Sequence, residues 1–195
     1  DNAEKVVTWA KQHGMLDECA PCHQTYDVAC ILGATTGRMQ KRLDYLIGLC
    51  ERGFRFNQIV WLTGDRPLDG RVDRCTDQCT TESEAARLIW EESVLPEKMH
   101  RLPVSFIATP MKGVQRPTTR DTLVTWIASR TGPTSVLFIS DQPFCGYQFA
   151  IVKRHMPDSY TYDIAGAGIA PSAYPRIAAV TLDSLARWLY AESTP

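Results

Sequence analysis

"YDVACILGATTGRMQKRLDYLIGLCERG", residues 26–53, holds a strand, a glycine turn and a helix in one stretch. Residues 26–34 are nearly continuous in apolar side chains, as a strand covered on both faces requires. Met39, Leu43, Ile47 and Cys50 then recur at helical spacing, and Gly53 stops the helix. A buried strand that turns directly into an amphipathic helix is the unit from which parallel sheets are built.

The rest of the chain repeats that unit. "QIVWLTG" (58–64), "PVSFIATP" (103–110) and "SVLFISD" (135–141) read as further strands, and "YTYDIAGAG" (160–168) as a weaker fifth. Helical spacing appears in Ala85, Leu88 and Ile89 after Thr81, and in Leu123, Trp126 and Ile127 after Thr118 or Thr119. Residues 144–155 and a last segment from about Thr181 to Tyr190 complete the helices. The alternation predicts one α/β domain, Rossmann-like and three-layered, with a mostly parallel five-stranded sheet. The irregular stretch 65–80 is long for a compact domain, and loops of that length are usually functional lids or insertions.

With 195 residues and 44% apolar composition, the chain can bury one sizeable core but not two. Lysine and arginine number 21 against 22 acidic residues, with no long run of one sign, which argues against nucleic acid or anionic membrane as the main partner. No apolar run approaches the length of a membrane span. The first residue is Asp1 rather than Met, compatible with removal of a signal or anchor segment. Seven cysteines, with Cys19/Cys22 and Cys75/Cys79 as close pairs, favour an oxidising, periplasmic or otherwise extracytoplasmic compartment over the cytoplasm. Both pairs are disulfide candidates, and the odd total leaves one thiol over.

Cys19, Cys22 and His23 also spell C-x-x-C-H, the attachment pattern of a c-type haem. The first strand begins three residues later, and only His13 and Met15 lie near as candidate axial ligands, so a disulfide or free thiols suit the context better. A zinc site shared with Cys75 and Cys79 is opposed by topology. Cys19 and Cys22 precede the first strand and are expected at the amino-terminal edge of the sheet, whereas the second pair follows the second strand, roughly 25 Å away.

In open parallel sheets, ligands bind beyond the carboxyl ends of the strands. There the first strand leads into Gly33-Ala34-Thr35-Thr36-Gly37-Arg38, whose free helix-start amides and arginine favour an anion. The second ends in Thr63-Gly64-Asp65-Arg66. The third leads to "GVQRPTTRDT" with Arg116, Thr118, Thr119, Arg120 and Asp121, and the fourth ends in Ser140-Asp141-Gln142. This rim is expected to bind a small anionic or polyhydroxylated ligand, with Asp65, Glu84 and Asp121 as candidates for acid–base or metal work. Against that, Thr81 with Glu84 is a capping box and Thr118 with Asp121 a shorter-armed one. Asp65 and Asp141 are also ordinary turn residues.

The order of "VACILGATTGRMQKRLDYLIGLCERG", "IVWLTGD", "TESEAARLI", "RPTTRDTLVTWI" and "SVLFISDQPFCGYQFAIVKRHMP" resembles the bacterial YdcF/SanA/ElyC-type domain over roughly residues 26–157. On that likeness residues 1–25 are an amino-terminal extension and 158–195 a carboxyl-terminal strand and helix. Ser83-Glu84-Ala85 matches the family's Ser-Glu-Ala, Gly33 and Gly64 its turns, and Arg38 or Arg42 its arginine. The family's Asn-Thr-x-x-Asn element stands here as Thr118-Thr119-Arg120-Asp121-Thr122, and its histidine position falls at about Phe144 or Cys145. The resemblance implies a Rossmann-like fold and a rim pocket for a nucleotide-like ligand. It also implies an envelope hydrolase or transferase acting on phosphorylated or lipid-linked sugar, or alternatively a non-catalytic module for a ligand such as S-adenosylmethionine.

Overall fold

The computed structural model describes residues 2–74, 78–130 and 134–193. Its five strands are β1 (Thr25–Leu32), β2 (Arg55–Gly64), β3 (Val104–Thr109), β4 (Ser135–Asp141) and β5 (Thr161–Ala167). They form one sheet in the order β3-β2-β1-β4-β5, every neighbour pair parallel. The helices are α1 (Asn2–Gln12), α2 (Thr36–Glu51), α3 (Glu82–Glu92), the short α4 (Glu97–His100), α5 (Thr119–Ala128), α6 (Cys145–His155) and α7 (Ala178–Ser193). The chain is therefore a Rossmann-like α/β domain.

Apolar strands need cover on both faces, and the helices supply it. On one face Met39, Leu43 and Leu46 of α2 and Ala85 and Ala86 of α3 pack over Ile31, Ile59 and Trp61. On the other, Leu123 and Trp126 of α5 and Val152 of α6 pack over Cys30, Val60 and Phe138. Trp61 and Trp126, both fully buried, anchor the two layers. The strand order reverses between β1 and β4, which opens a crevice at their carboxyl ends.

A third, smaller cluster lies outside these layers. Ala10, Met15, Leu16 and Ile177 are buried there, with Val7, Tyr174 and Trp188 packed against them. Past α1 the chain runs back along the edge of β5, where Cys19 forms an antiparallel bridge with Gly166. The expectation that Cys19 lies at the amino-terminal edge of the sheet is corrected by this bridge, because Gly166 is near the carboxyl end of β5. The backward run also covers part of an otherwise open strand edge. Among the described residues, no helix is long and apolar enough to cross a membrane.

Candidate functional site

A cavity of about 470 Å³ opens where β1 and β2 end, beside the start of α6. Leu32, Gly33, Leu62 and Gly64 form its base. Both glycines are there for space. A Cβ on Gly33 would stand 2.2 Å from the Glu82 carboxylate and 2.8 Å from the Leu62 carbonyl, and one on Gly64 would press within 3.1 Å of Pro117.

Two buried charge clusters hold the walls. In the first, Arg42 is 2% exposed and donates through Nε to Asp141 Oδ1 at 2.8 Å, and through Nη1 to the carbonyls of Leu32 (2.6 Å) and Gly33 (3.0 Å). Arg38 Nη1 donates to the other Asp141 oxygen at 2.8 Å, with its guanidinium 4.1 Å from the centre of the Phe144 ring. Asp141 thus joins the end of β4 to the first turns of α2 across the crevice. In the second, Arg66 donates to Glu82 Oε2 (2.5 Å), to both oxygens of Asp73 (2.8 and 3.1 Å) and to the Ala34 carbonyl (3.0 Å). The Gly64 amide donates to Glu82 Oε1 at 3.1 Å. Burial pushes the Glu82 carboxyl above the ordinary glutamate range, against the opposing pull of the Gly64 amide and Arg66.

The mouth is less neutralised. Arg116 is exposed on the cavity wall and makes no ion pair among the described residues. Arg187 of α7 pairs with Asp183 one turn away at 2.9 Å, and the side chains of Thr118, Thr119 and Tyr147 complete that side.

Of the rim residues expected from sequence, Gly33, Thr35, Arg38, Gly64, Thr118 and Thr119 line this cavity. Asp141 lies beside it, holding Arg38 and Arg42. Thr36 and Gly37 face a separate groove between α2 and α3. The Thr36 amide, expected to be free for an anion, instead donates to Asp73 Oδ1 at 3.0 Å.

The three carboxylates expected to do chemistry are outside the cavity wall. Asp65 is exposed and accepts from the Ser83 hydroxyl at 2.9 Å. Glu84 accepts from the Thr80 and Thr81 amides (2.7 and 3.2 Å), which lower its pKa. Asp121 accepts from the Thr118 hydroxyl (2.7 Å) and amide (2.9 Å) and is drawn down to about 2. The last two close genuine capping boxes.

Sequence reasoning missed Glu82, Asp73 and the inward turn of Arg66, and reached Arg42 only through the family likeness. A signal for Glu82 was present. Glu82, Ala85, Ala86 and Ile89 follow the i, i+3, i+4, i+7 spacing of the buried face of α3, whereas Glu84 is off it.

The expected Cys19–Cys22 disulfide is not formed, and Cys75 of the second expected pair lies outside the described residues. Cys22 is held elsewhere, its amide donating to Asp163 Oδ2 at 2.5 Å. His13 stacks on Trp9, Met15 is buried in the third cluster, and the His23 amide donates to the Tyr26 hydroxyl. Among the described residues, no cluster of three or more His, Cys, Asp or Glu is placed to hold a metal ion. The chain matches no family model, no curated protein and no solved structure.

Proposed function

We propose that the rim cavity binds a small phosphorylated ligand, a sugar phosphate or a nucleotide. The observation that carries this is the wall's five arginines (38, 42, 66, 116 and 187), faced by Glu82 and Asp183 on the wall and by Asp73 and Asp141 beside it, a balance that leaves Arg116 without an ion-pair partner among the described residues. Arg38, Arg42 and Arg66 are already paired and fix the shape of the cavity. Arg116 and, at the cost of its exposed pairing with Asp183, Arg187 are the groups an incoming phosphate engages, since guanidinium groups match phosphate oxygens in pairs. Thr118 and Thr119 add hydroxyls, and Tyr147 and Phe144, whose ring already carries the Arg38 guanidinium, add aromatic surface beside them.

The likeness to YdcF/SanA/ElyC-type domains supports a rim ligand and extends the proposal to phosphorylated or lipid-linked sugars of a cell envelope. S-adenosylmethionine, whose sulfonium adds positive charge, is disfavoured by an arginine-rich wall. In a hydrolase or transferase the acid–base role falls to Glu82, the carboxyl on the wall with a raised pKa. Both Glu82 oxygens are engaged by Gly64 and Arg66, so binding without turnover is the reading we favour.

Calorimetric titration with inorganic phosphate, a hexose phosphate, a nucleoside diphosphate and S-adenosylmethionine tests it. A phosphorylated compound binds, and Arg116→Ala weakens it at least about tenfold, the size of one charge-assisted hydrogen bond. Binding of S-adenosylmethionine alone, or phosphate binding indifferent to both Arg116→Ala and Arg187→Ala, refutes the assignment.

A further inference from the structure

The C-x-x-C motif has no part in the cavity, and its first cysteine has a different neighbour from the one its spacing predicts. Cys19 and Gly166 exchange two backbone hydrogen bonds, of 3.0 and 2.9 Å. In such a pair the Cα atoms lie about 5.5 Å apart and the side chains leave the same side of the ladder. Gly166 has no side chain, and the position its Cβ would take is 2.8 Å from the sulfur of Cys145. The missing side chain therefore makes room for a second thiol opposite Cys19, whose own S–H donates to the Ile164 carbonyl at 3.4 Å.

Exposure is graded among the three cysteines. Cys145, the first residue of α6, is 3% exposed, Cys19 is half-buried and Cys22 is exposed. The neighbouring Cys145 thiol lowers the Cys19 pKa below the usual thiol value, and the proximity of Cys19, with burial, raises that of Cys145. Asp163 holds Cys22 by its amide and raises the pKa of its thiol.

We propose that Cys19 and Cys145 are an oxidisable dithiol, closed into a disulfide by a small-molecule disulfide such as oxidised glutathione. The Cys19 thiolate attacks one sulfur of the oxidant, forms a mixed disulfide and expels one thiolate. Cys145, deprotonating, then attacks the Cys19 sulfur and expels the second. Two thiol protons pass to the departing thiolates, and two electrons reduce the oxidant to two free thiols. The new bond staples the amino-terminal segment to the first turn of α6, the helix that supplies Tyr147 and Gln148 to the cavity wall. Redox state is thereby coupled to the rigidity of the site.

Peptide mapping of the full chain, oxidised with glutathione disulfide and then alkylated, reads the outcome. The expected result is a Cys19–Cys145 linked peptide, a mass loss of two hydrogens and no retained glutathione. Cys22→Ser leaves that product unchanged. Closing so long a loop raises Tm by roughly 5–15 °C, reversed by dithiothreitol. A Cys19–Cys22 link, a persistent glutathione adduct on Cys19, or no oxidation of the folded chain overturns the proposal. The wild-type map is decisive by itself, so nothing depends on whether a Cys145 variant folds.

Discussion

Asp141 holds the first charge cluster together. Its two oxygens serve two guanidinium groups, one of them wholly out of water. Replacing Asp141 with Ala strands the Arg42 charge, so we expect a loss of about 3–5 kcal/mol in urea unfolding. Arg42→Met combined with Asp141→Leu is expected to recover part of that loss, because the fully buried charge is gone while Arg38, 29% exposed, still loses its partner. Gly33→Ala drives a methyl group into the Glu82 carboxylate and the β2 backbone, and should cost about 1–3 kcal/mol by the same assay. This scale was the least legible in the sequence. Glu84 sits in a recognisable motif yet closes a cap, while Glu82, two positions earlier, turns inward. Two residues apart on a helix is nearly opposite faces, and the buried face was the informative one.

Helices α3 and α5 start on capping boxes, and that pattern was readable because it is local. Thr118→Ala is expected to cost about 1 kcal/mol in thermal unfolding. It also takes a hydroxyl from the cavity mouth, so phosphate affinity should fall with it. The cap leaves a signature in pH. Asp121 titrates near 2 in the folded chain against an ordinary 3.8, so its contribution is present above about pH 4 and disappears as pH falls towards 2. Acid titration followed by circular dichroism should show Thr118→Ala losing part of this acid limb, and an unchanged limb would remove Asp121 from the account. Strands β1 to β5 and the five longer crossover and terminal helices followed from apolar runs and 3.6-residue spacing. Helix α1 did not, because only Ala10 of its residues is buried and its sparse apolar side chains face a satellite cluster. The four residues of α4 are too few to establish a period.

At the scale of the molecule, the crevice exists because β1 and β4 are neighbours while the chain between them travels out to β3 and back. The alternation of elements foretold such a crevice but not which side chains would meet in it, since Arg42 and Asp141 are 99 positions apart. The amino-terminal extension is structural at this scale. Deleting residues 1–24 uncovers Ile177 and Trp188 and opens the edge of β5, so we expect a lower Tm and self-association on sizing chromatography. The start of α2 has a further consequence. Its Thr36 amide, which in many α/β proteins is free to hold a ligand's phosphate, is already occupied by Asp73 from the loop beyond β2. On the proposed reading, the Thr36 amide is withdrawn from the anion and side chains carry more of its recognition. A main-chain cradle is the same whatever sequence surrounds it, whereas guanidinium groups can be exchanged singly. If the rim binds as proposed, ligand preference is free to diverge by point substitution over an unchanged sheet.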